Sequence, residues 1–170
     1  GCWKGRSLSS VADIIKARNI TVIAIDTFGG SLSESEGQAS PIDAAKEDIK
    51  GVFIDSITKR GLSSYILGYG APKSDVYIVQ ATTHEASELF QDGEFDMVFI
   101  DTDHSYESCL QDIQDWWPKV KRGGFLSGHD CMWKGVADAL THEFGHLCMT
   151  NWANMWFYPK GKVYDCFPFC

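Results

Sequence analysis

Phe95-Asp96-Met97-Val98-Phe99-Ile100-Asp101-Thr102-Asp103-His104-Ser105-Tyr106 is the stretch that decides how this chain is read. Met97 to Ile100 is an unbroken apolar run with β-branched and aromatic character. Such a run suits a strand buried on both faces, as in a parallel sheet. It ends abruptly in two carboxylates and an imidazole. In open α/β sheets the carboxyl end of a strand is where ligands bind. A helix pattern follows, with Tyr106, Leu110, Ile113 and Trp117 on one face and Pro118 to stop it. A single Asp here would be read as the helix cap. Asp101, Asp103 and His104 within four residues favour a site.

Outward from this stretch, the same alternation recurs. Thr21 to Ile25 is an apolar run that ends in Asp26, about 20 residues after a glycine-containing turn, Gly1-Cys2-Trp3-Lys4-Gly5-Arg6-Ser7. A turn of that kind ahead of a helix lets backbone amides approach a ligand, although two glycines also suit a plain turn. A strand ending in an acid at this spacing suits a ribose held through its hydroxyls. Pro41 and Asp43 open a helix carrying Ile49, Val52, Phe53 and Ile57, closed by Gly61. Tyr65 to Ser74, with Gly68, Gly70 and Pro72, reads as a surface loop, and Gly29 to Ser40 as a mobile one. Val76 to Val79 is a strand, and Thr82 with Glu85 forms a capping box for a helix bearing Ala86, Leu89 and Phe90. Gly123-Gly124 leads into a short strand that ends at Gly128-His129-Asp130. A helix with Val136, Ala137, Leu140 and Phe144 on one face follows. Trp152 to Tyr158 suits one or two closing strands. Strands alternating with helices indicate a doubly wound, mostly parallel α/β sheet. Its carboxyl edge would gather Gly1, Gly5, Asp26, Thr82, Asp101, His104, His129 and Asp130 into one crevice.

Composition narrows the function. A chain of 170 residues, 44% hydrophobic and 22% charged, reads as a single globular domain spanning 1–170. A net charge of −8 disfavours a phosphate-tracking nucleic-acid binder. No apolar run approaches the ~20 residues of a membrane span, so no membrane partner is expected. Six cysteines without a CxxC pair read as reduced thiols of a cytoplasmic protein.

A competing motif is His142-Glu143-Phe144-Gly145-His146, which matches H-E-x-x-H. On a helix this pair holds zinc, with Glu as base, and a zinc peptidase is the alternative enzyme class. A third protein ligand is needed, and the position six residues after His146 is Trp152. Gly145 also weakens the helix. A helix C-terminus carrying two His is the reading preferred here, and no zinc is expected on them.

Taken together, the Gly-x-x-x-Gly-x-Ser turn, Ala24-Ile25-Asp26, Thr83-His84-Glu85-Ala86, Phe99-Ile100-Asp101 through Tyr106, Trp116-Trp117-Pro118, Gly123-Gly124 and Gly128-His129-Asp130 resemble a class I S-adenosylmethionine-dependent methyltransferase. The chain is most similar to the small-molecule O-methyltransferase branch that includes the macrolide-sugar enzymes. The resemblance implies a Rossmann-like fold and methyl transfer from S-adenosylmethionine to a hydroxyl of a small molecule, a sugar among the candidates. It implies cofactor contacts from Gly1, Gly5, Ser7, Asp26, Thr82, Thr83 and Asp101. It implies a divalent metal such as Mg²⁺ or Mn²⁺ at Asp101 and Asp130, with His129 beside them, and His104 as general base with Asp101 in the catalytic set. The macrolide-sugar enzymes carry Glu where this chain has His129, a change that suits Mn²⁺, Fe²⁺ or Zn²⁺ better than Mg²⁺. The family's first strand, expected between the Asp26 and Asp101 strands, is missing from the sequence, so an N-terminally truncated domain is expected. A non-catalytic cofactor-binding domain is the third reading. The acceptor is not identified, and a homo-oligomer is left open. Trp133, Trp152 and Trp156 suit core packing better than a sugar-stacking wall.

Overall fold

The computed structural model describes residues 1–30, 44–146 and 154–161. Most of the loop expected from Gly29 to Ser40 lies outside the described residues, as does Trp152. The chain divides into two compact units, Gly1–Ala86 and Ser87–Cys170.

The first unit runs α1 (Arg6–Ser10), α2 (Ala12–Arg18), β1 (Val22–Asp26), α3 (Ile49–Thr58), β2 (Ser64–Ile66) and β3 (Val76–Gln80), with α4 (Thr83–Ser87) at its end. Its sheet has the order β1-β3-β2, and both pairings are parallel, with Ala24 opposite Ile78 and Tyr65 opposite Tyr77. The strand at Ser64–Ile66 replaces the first part of the expected loop. Only three residues pair, and the glycines and Pro72 that follow dominate the sequence pattern there. Pro41 and Asp43, where the sequence places a helix start, lie outside the described residues; Ala44 is helical, 45–48 are not, and α3 starts at Ile49, where the Asp48 side chain accepts the Gly51 amide. Ala12, Ile15, Ala24, Phe53, Ile57, Val76 and Ile78 form one buried cluster. Gly5 is pressed against it with φ 76°, and a Cβ there would sit 2.9 Å from the Phe53 ring. This position therefore demands glycine on packing grounds as well as for its left-handed backbone.

The second unit runs β4 (Phe95–Ile100), α5 (Tyr106–Trp116), β5 (Val120–Gly128), α6 (Lys134–Phe144) and β6 (Trp156–Pro159). β4 and β5 pair in parallel, with Ile100 opposite Gly128, and β6 closes the sheet antiparallel to β5. Ile113, Trp116, Val120, Leu126, Val136, Leu140 and Trp156 are buried. The buried face of α5 is Cys109, Asp112, Ile113 and Trp116, so it is rotated from the Tyr106–Trp117 stripe read from the sequence. β4 is not buried on both faces. Met97 and Phe99, which share one face, are 46% and 38% exposed. Where one sheet was expected, the described residues form two sheets of three strands. β1 and β4 each stand at the edge of their own sheet, and among the described residues neither has a partner on its outer side.

In the first unit β2 and β3 are tied at their amino ends by a reciprocal contact. Ser63 donates its amide and its hydroxyl to the Asp75 carboxylate at 2.8 and 2.7 Å, and the Asp75 amide donates back to the Ser63 hydroxyl. These bonds hold the Asp75 carboxyl below the usual carboxylate range. A depressed carboxylate pKa adds stability above its unfolded value, and that stability is lost as pH falls through the folded value. Asp75→Asn is therefore expected to lower the melting temperature at pH 7, by an amount worth under about 1 kcal/mol because the pair is solvated. Melts at pH 7 and near pH 2.5 check this: the gap between wild type and variant should close in acid.

Candidate active site

The second unit assembles its titratable groups at the carboxyl ends of two adjacent parallel strands. β4 delivers Asp101 through His104, and β5 delivers His129 and Asp130. The His129 amide donates to the Ile100 carbonyl at 3.1 Å and carries the ladder one step past the strands. The cap of α5 is Ser105, whose hydroxyl accepts the Ser108 amide, while Asp103 accepts the Ser105 amide at 2.7 Å in a local turn. Asp101 is thus not the helix cap. The loop between them is pinned from below by Cys109, whose thiol donates to the Asp103 carbonyl at 3.0 Å, and by Thr102, whose hydroxyl donates to Asp112 at 2.5 Å. Burial, with Asp112 and Asp103 nearby, pushes the Cys109 thiol up to about 12. It is a packing group and not a nucleophile.

His104 is not a surface residue. Its side chain is 13% exposed, and its Nε2 lies 2.9 Å from Asp130 Oδ2, with Asp130 19% exposed. Its ring stacks on Trp133, centroids 4.8 Å apart and planes 25° from parallel. Behind it the first turn of α6 comes so close that a Cβ on Gly135 would sit 2.2 Å from the His104 carbonyl oxygen. The backbone and the ring of His104 are therefore both held. Asp101, His104 and Asp130 each offer one ligand atom, and these atoms lie within 4.8 Å of one another. Burial raises the Asp101 carboxyl above its ordinary range, and Asp130 pushes in the same direction against the two imidazoles. Like charges so placed favour a bound cation or a shared proton. Asp101 and Asp130 are a chemically sound carboxylate pair for a divalent ion, with the His104 imidazole at their edge, and the residues fit that group.

His129 lies outside this three-atom cluster. Its Nδ1 contacts the other Asp130 oxygen at 3.1 Å, and it is more exposed than His104. Asn154 donates to that same oxygen, also at 3.1 Å. Asn154 was not legible in the sequence, because nothing local marks a residue 24 positions away as its partner. Trp133, read there as core or sugar wall, turns out to face His104. Trp156 is buried, and its indole donates to the His129 carbonyl.

The first unit holds the other candidates. Asp26 Oδ2 accepts the amides of Cys2 and Trp3, at 2.5 and 2.8 Å, and Oδ1 accepts the Phe28 amide at 2.6 Å. The acid at the strand end thus organises the Gly1–Gly5 turn. A carboxylate has about four acceptor directions. One on Oδ1 is left among the described contacts for a ligand hydroxyl, so the arrangement fits a ribose. Gly5 is buried, whereas Ser7 is exposed in α1. Thr82 and Glu85 form the capping box, in which the Thr82 hydroxyl accepts the Glu85 amide at 3.2 Å and Glu85 accepts the Thr82 amide at 3.0 Å. The Thr82 hydroxyl is thus engaged at the helix start, and Thr83 follows as the first residue of α4.

The H-E-x-x-H motif does not form a metal-binding helix face. α6 ends at Phe144, and Gly145 turns into the left-handed region with φ 76°. His142 meets the Tyr106 hydroxyl, while His146 Nδ1 lies 2.9 Å from the Phe144 carbonyl. The two imidazoles therefore lose the i, i+4 register that zinc requires.

With this geometry in view, comparisons with known proteins are informative. The O-methyltransferase NovP superposes with a TM-score of 0.62 at 16% identity, covering 94% of this chain and 69% of that one. CalS11, a calicheamicin methyltransferase, superposes with a TM-score of 0.64 at 13% identity, covering 95% and 70%. A structural-genomics protein from Corynebacterium glutamicum gives 0.53 at 16%, covering 87% and 64%. These likenesses establish a Rossmann-like α/β fold of the methyltransferase type. No curated protein sequence matches significantly. The family model described as a methyltransferase domain matches residues 1–131, more than three quarters of the chain. The chain belongs to that family of methyltransferase domains.

Proposed function

We propose that this chain transfers the methyl group of S-adenosylmethionine to a hydroxyl of a small-molecule acceptor, with a sugar as the first class to test. The observation that carries the reading is the Asp101, His104 and Asp130 cluster at the ends of two parallel strands. Hydroxyl methylation needs a group that takes the hydroxyl proton, and this cluster contains one. The O-methyltransferase NovP and the calicheamicin methyltransferase CalS11 share the fold and support the choice of oxygen as acceptor. The buried Cys109 and Cys131 are thiols, which supports a reducing, cytoplasmic setting.

In this reading Asp26 holds the cofactor ribose through the acceptor direction left on Oδ1, and the Gly1–Gly5 turn lines the cofactor's methionine end, near Ser7. Thr82 and Thr83 line its adenine. Asp101 and Asp130 would hold a divalent cation, with His129 on the far oxygen of Asp130. S-adenosylmethionine, when bound, supplies an electrophilic methyl, and a divalent cation, when bound, lowers the pKa of an acceptor hydroxyl. His104 accepts the hydroxyl proton on its ring. It must be neutral to do so. Trp133 fixes the plane of the ring and keeps water from that face.

Methyl transfer from labelled S-adenosylmethionine to a panel of hydroxylated acceptors, with Mn²⁺ or Mg²⁺ and with chelator, tests the reading. Cofactor binding with no transfer to any acceptor would support a non-catalytic domain instead. In an active preparation, His104→Ala is expected to lower turnover by roughly 10²–10⁴-fold. Its Mn²⁺ affinity should stay within a few-fold of wild type. Loss of Mn²⁺ binding in that variant would make His104 a ligand and not the base. Asp26→Ala is expected to weaken cofactor binding and, unlike a pure ligand contact, to lower the stability of the cofactor-free protein by at least about 2 kcal/mol, since three amides lose a charged acceptor. Isothermal titration and denaturant melts measure the two effects separately.

A further inference from the structure

The turn that follows β5 is held by a residue far away in sequence. Asp130 itself adopts a left-handed backbone, with φ 59°. This is an uncommon state for a residue other than glycine and persists when its surroundings fix it. The fixing group is Asn154, whose own φ is also 59°. The Asn154 side-chain oxygen accepts the Met132 amide at 2.8 Å and the Cys131 thiol at 3.3 Å. Its backbone carbonyl accepts the Cys131 amide at 3.2 Å. Its side-chain nitrogen donates to Asp130 Oδ1 at 3.1 Å.

This pattern uses both ends of a carboxamide in one direction only. The oxygen faces an N–H and the nitrogen faces a carboxylate, so a flipped amide would reverse both contacts. An Asp at 154 could accept but not donate, and an apolar isostere could do neither. With Oδ1 occupied by Asn154 and His129, Asp130 is left with Oδ2 directed to His104 at 2.9 Å.

We infer that Asn154 is a positioning residue for the Asp101, His104 and Asp130 cluster. It fixes the plane of the Asp130 carboxylate, so that one oxygen faces the cluster, and holds the left-handed turn that puts it there. The inference rests on the proposed divalent-cation site. Residues that orient a ligating side chain from behind commonly change metal affinity by about 10–100-fold when removed. Asn154 lies outside residues 1–131, the part of the chain that the family model matches. The segment leading into β6 therefore serves the site, in addition to closing the sheet.

The test is Mn²⁺ titration of the whole chain, read by electron paramagnetic resonance of the free ion, with no substrate present. Asn154→Gly keeps the positive-φ backbone accessible and removes only the side chain. Asn154→Ser serves as the second variant if the glycine form melts at assay temperature. A folded variant is expected to show a Mn²⁺ Kd raised by about 10–100-fold with unchanged affinity for S-adenosylmethionine. The same substitution in an Asp130→Asn background should add no further loss, while in an Asp101→Asn background its effect should persist. Wild-type Mn²⁺ affinity in a folded Asn154 variant would overturn the inference and leave the metal reading standing. So would an equal loss in both backgrounds, which marks a general structural role. No Mn²⁺ binding by the wild-type chain would overturn the metal reading, and the inference with it.

Discussion

Asp130 is the point on which the second unit converges. One carboxylate touches His104 through one oxygen, and His129 and Asn154 through the other. These partners arrive from the end of β4, the end of β5 and the approach to β6. A buried carboxylate is costly unless such partners surround it. The requirement fixes the geometry of three chain segments at once. It also explains why α6 starts where it does: the Trp133 amide donates to the Asp130 carbonyl, and Gly135 packs directly on the His104 backbone. The helix start, the stacked tryptophan and the imidazole are set by one turn.

Asp26 repeats the arrangement in the first unit on a smaller scale. It ends a parallel strand, and its carboxylate gathers amides from the chain start and from the turn after β1. Strand ends in parallel sheets leave amides and carbonyls without ladder partners, and a side chain supplies them: Asp26 at the end of β1 and, after β5, Asn154, which accepts the Met132 amide. The Asp26 carboxylate thus completes backbone groups, whereas the described contacts of the Asp130 carboxylate are with side chains.

Much of this was legible in the sequence. The apolar run ending in Asp101 and the Thr82/Glu85 capping box are short-range patterns, and the structure shows both. So are Asp26 at the end of β1 and the helix that Gly145 terminates. The fold class and the methyltransferase family followed from how those patterns were ordered along the chain. What was not legible depends on long-range placement. β2 is three residues long and pairs only because β3 lies beside it. The exposure of Met97 and Phe99 reflects an edge position that an apolar run does not announce. Choosing Ser105 over Asp101 as the cap of α5 needed the loop's actual course. His104 in the cluster instead of His129, and the partnership of Asn154 with Asp130, follow from the twist and register of three strands.

Among the described residues the outer edge of β4 has no strand partner, which bears on how the protein behaves at high concentration. An unpaired strand edge carrying exposed Met97 and Phe99 is the surface that drives edge-to-edge association between copies and, in time, aggregation. The chain counters this with charge: Asp96 sits exposed in the same strand and pairs with Lys121 on its neighbour at 2.9 Å. Such a residue acts as a gatekeeper, interrupting an otherwise apolar β segment. Solubility is thereby separated from stability. Asp96 contributes little to the folded state, because its ion pair is solvated, yet it places a charge in an apolar strand of the kind that favours association.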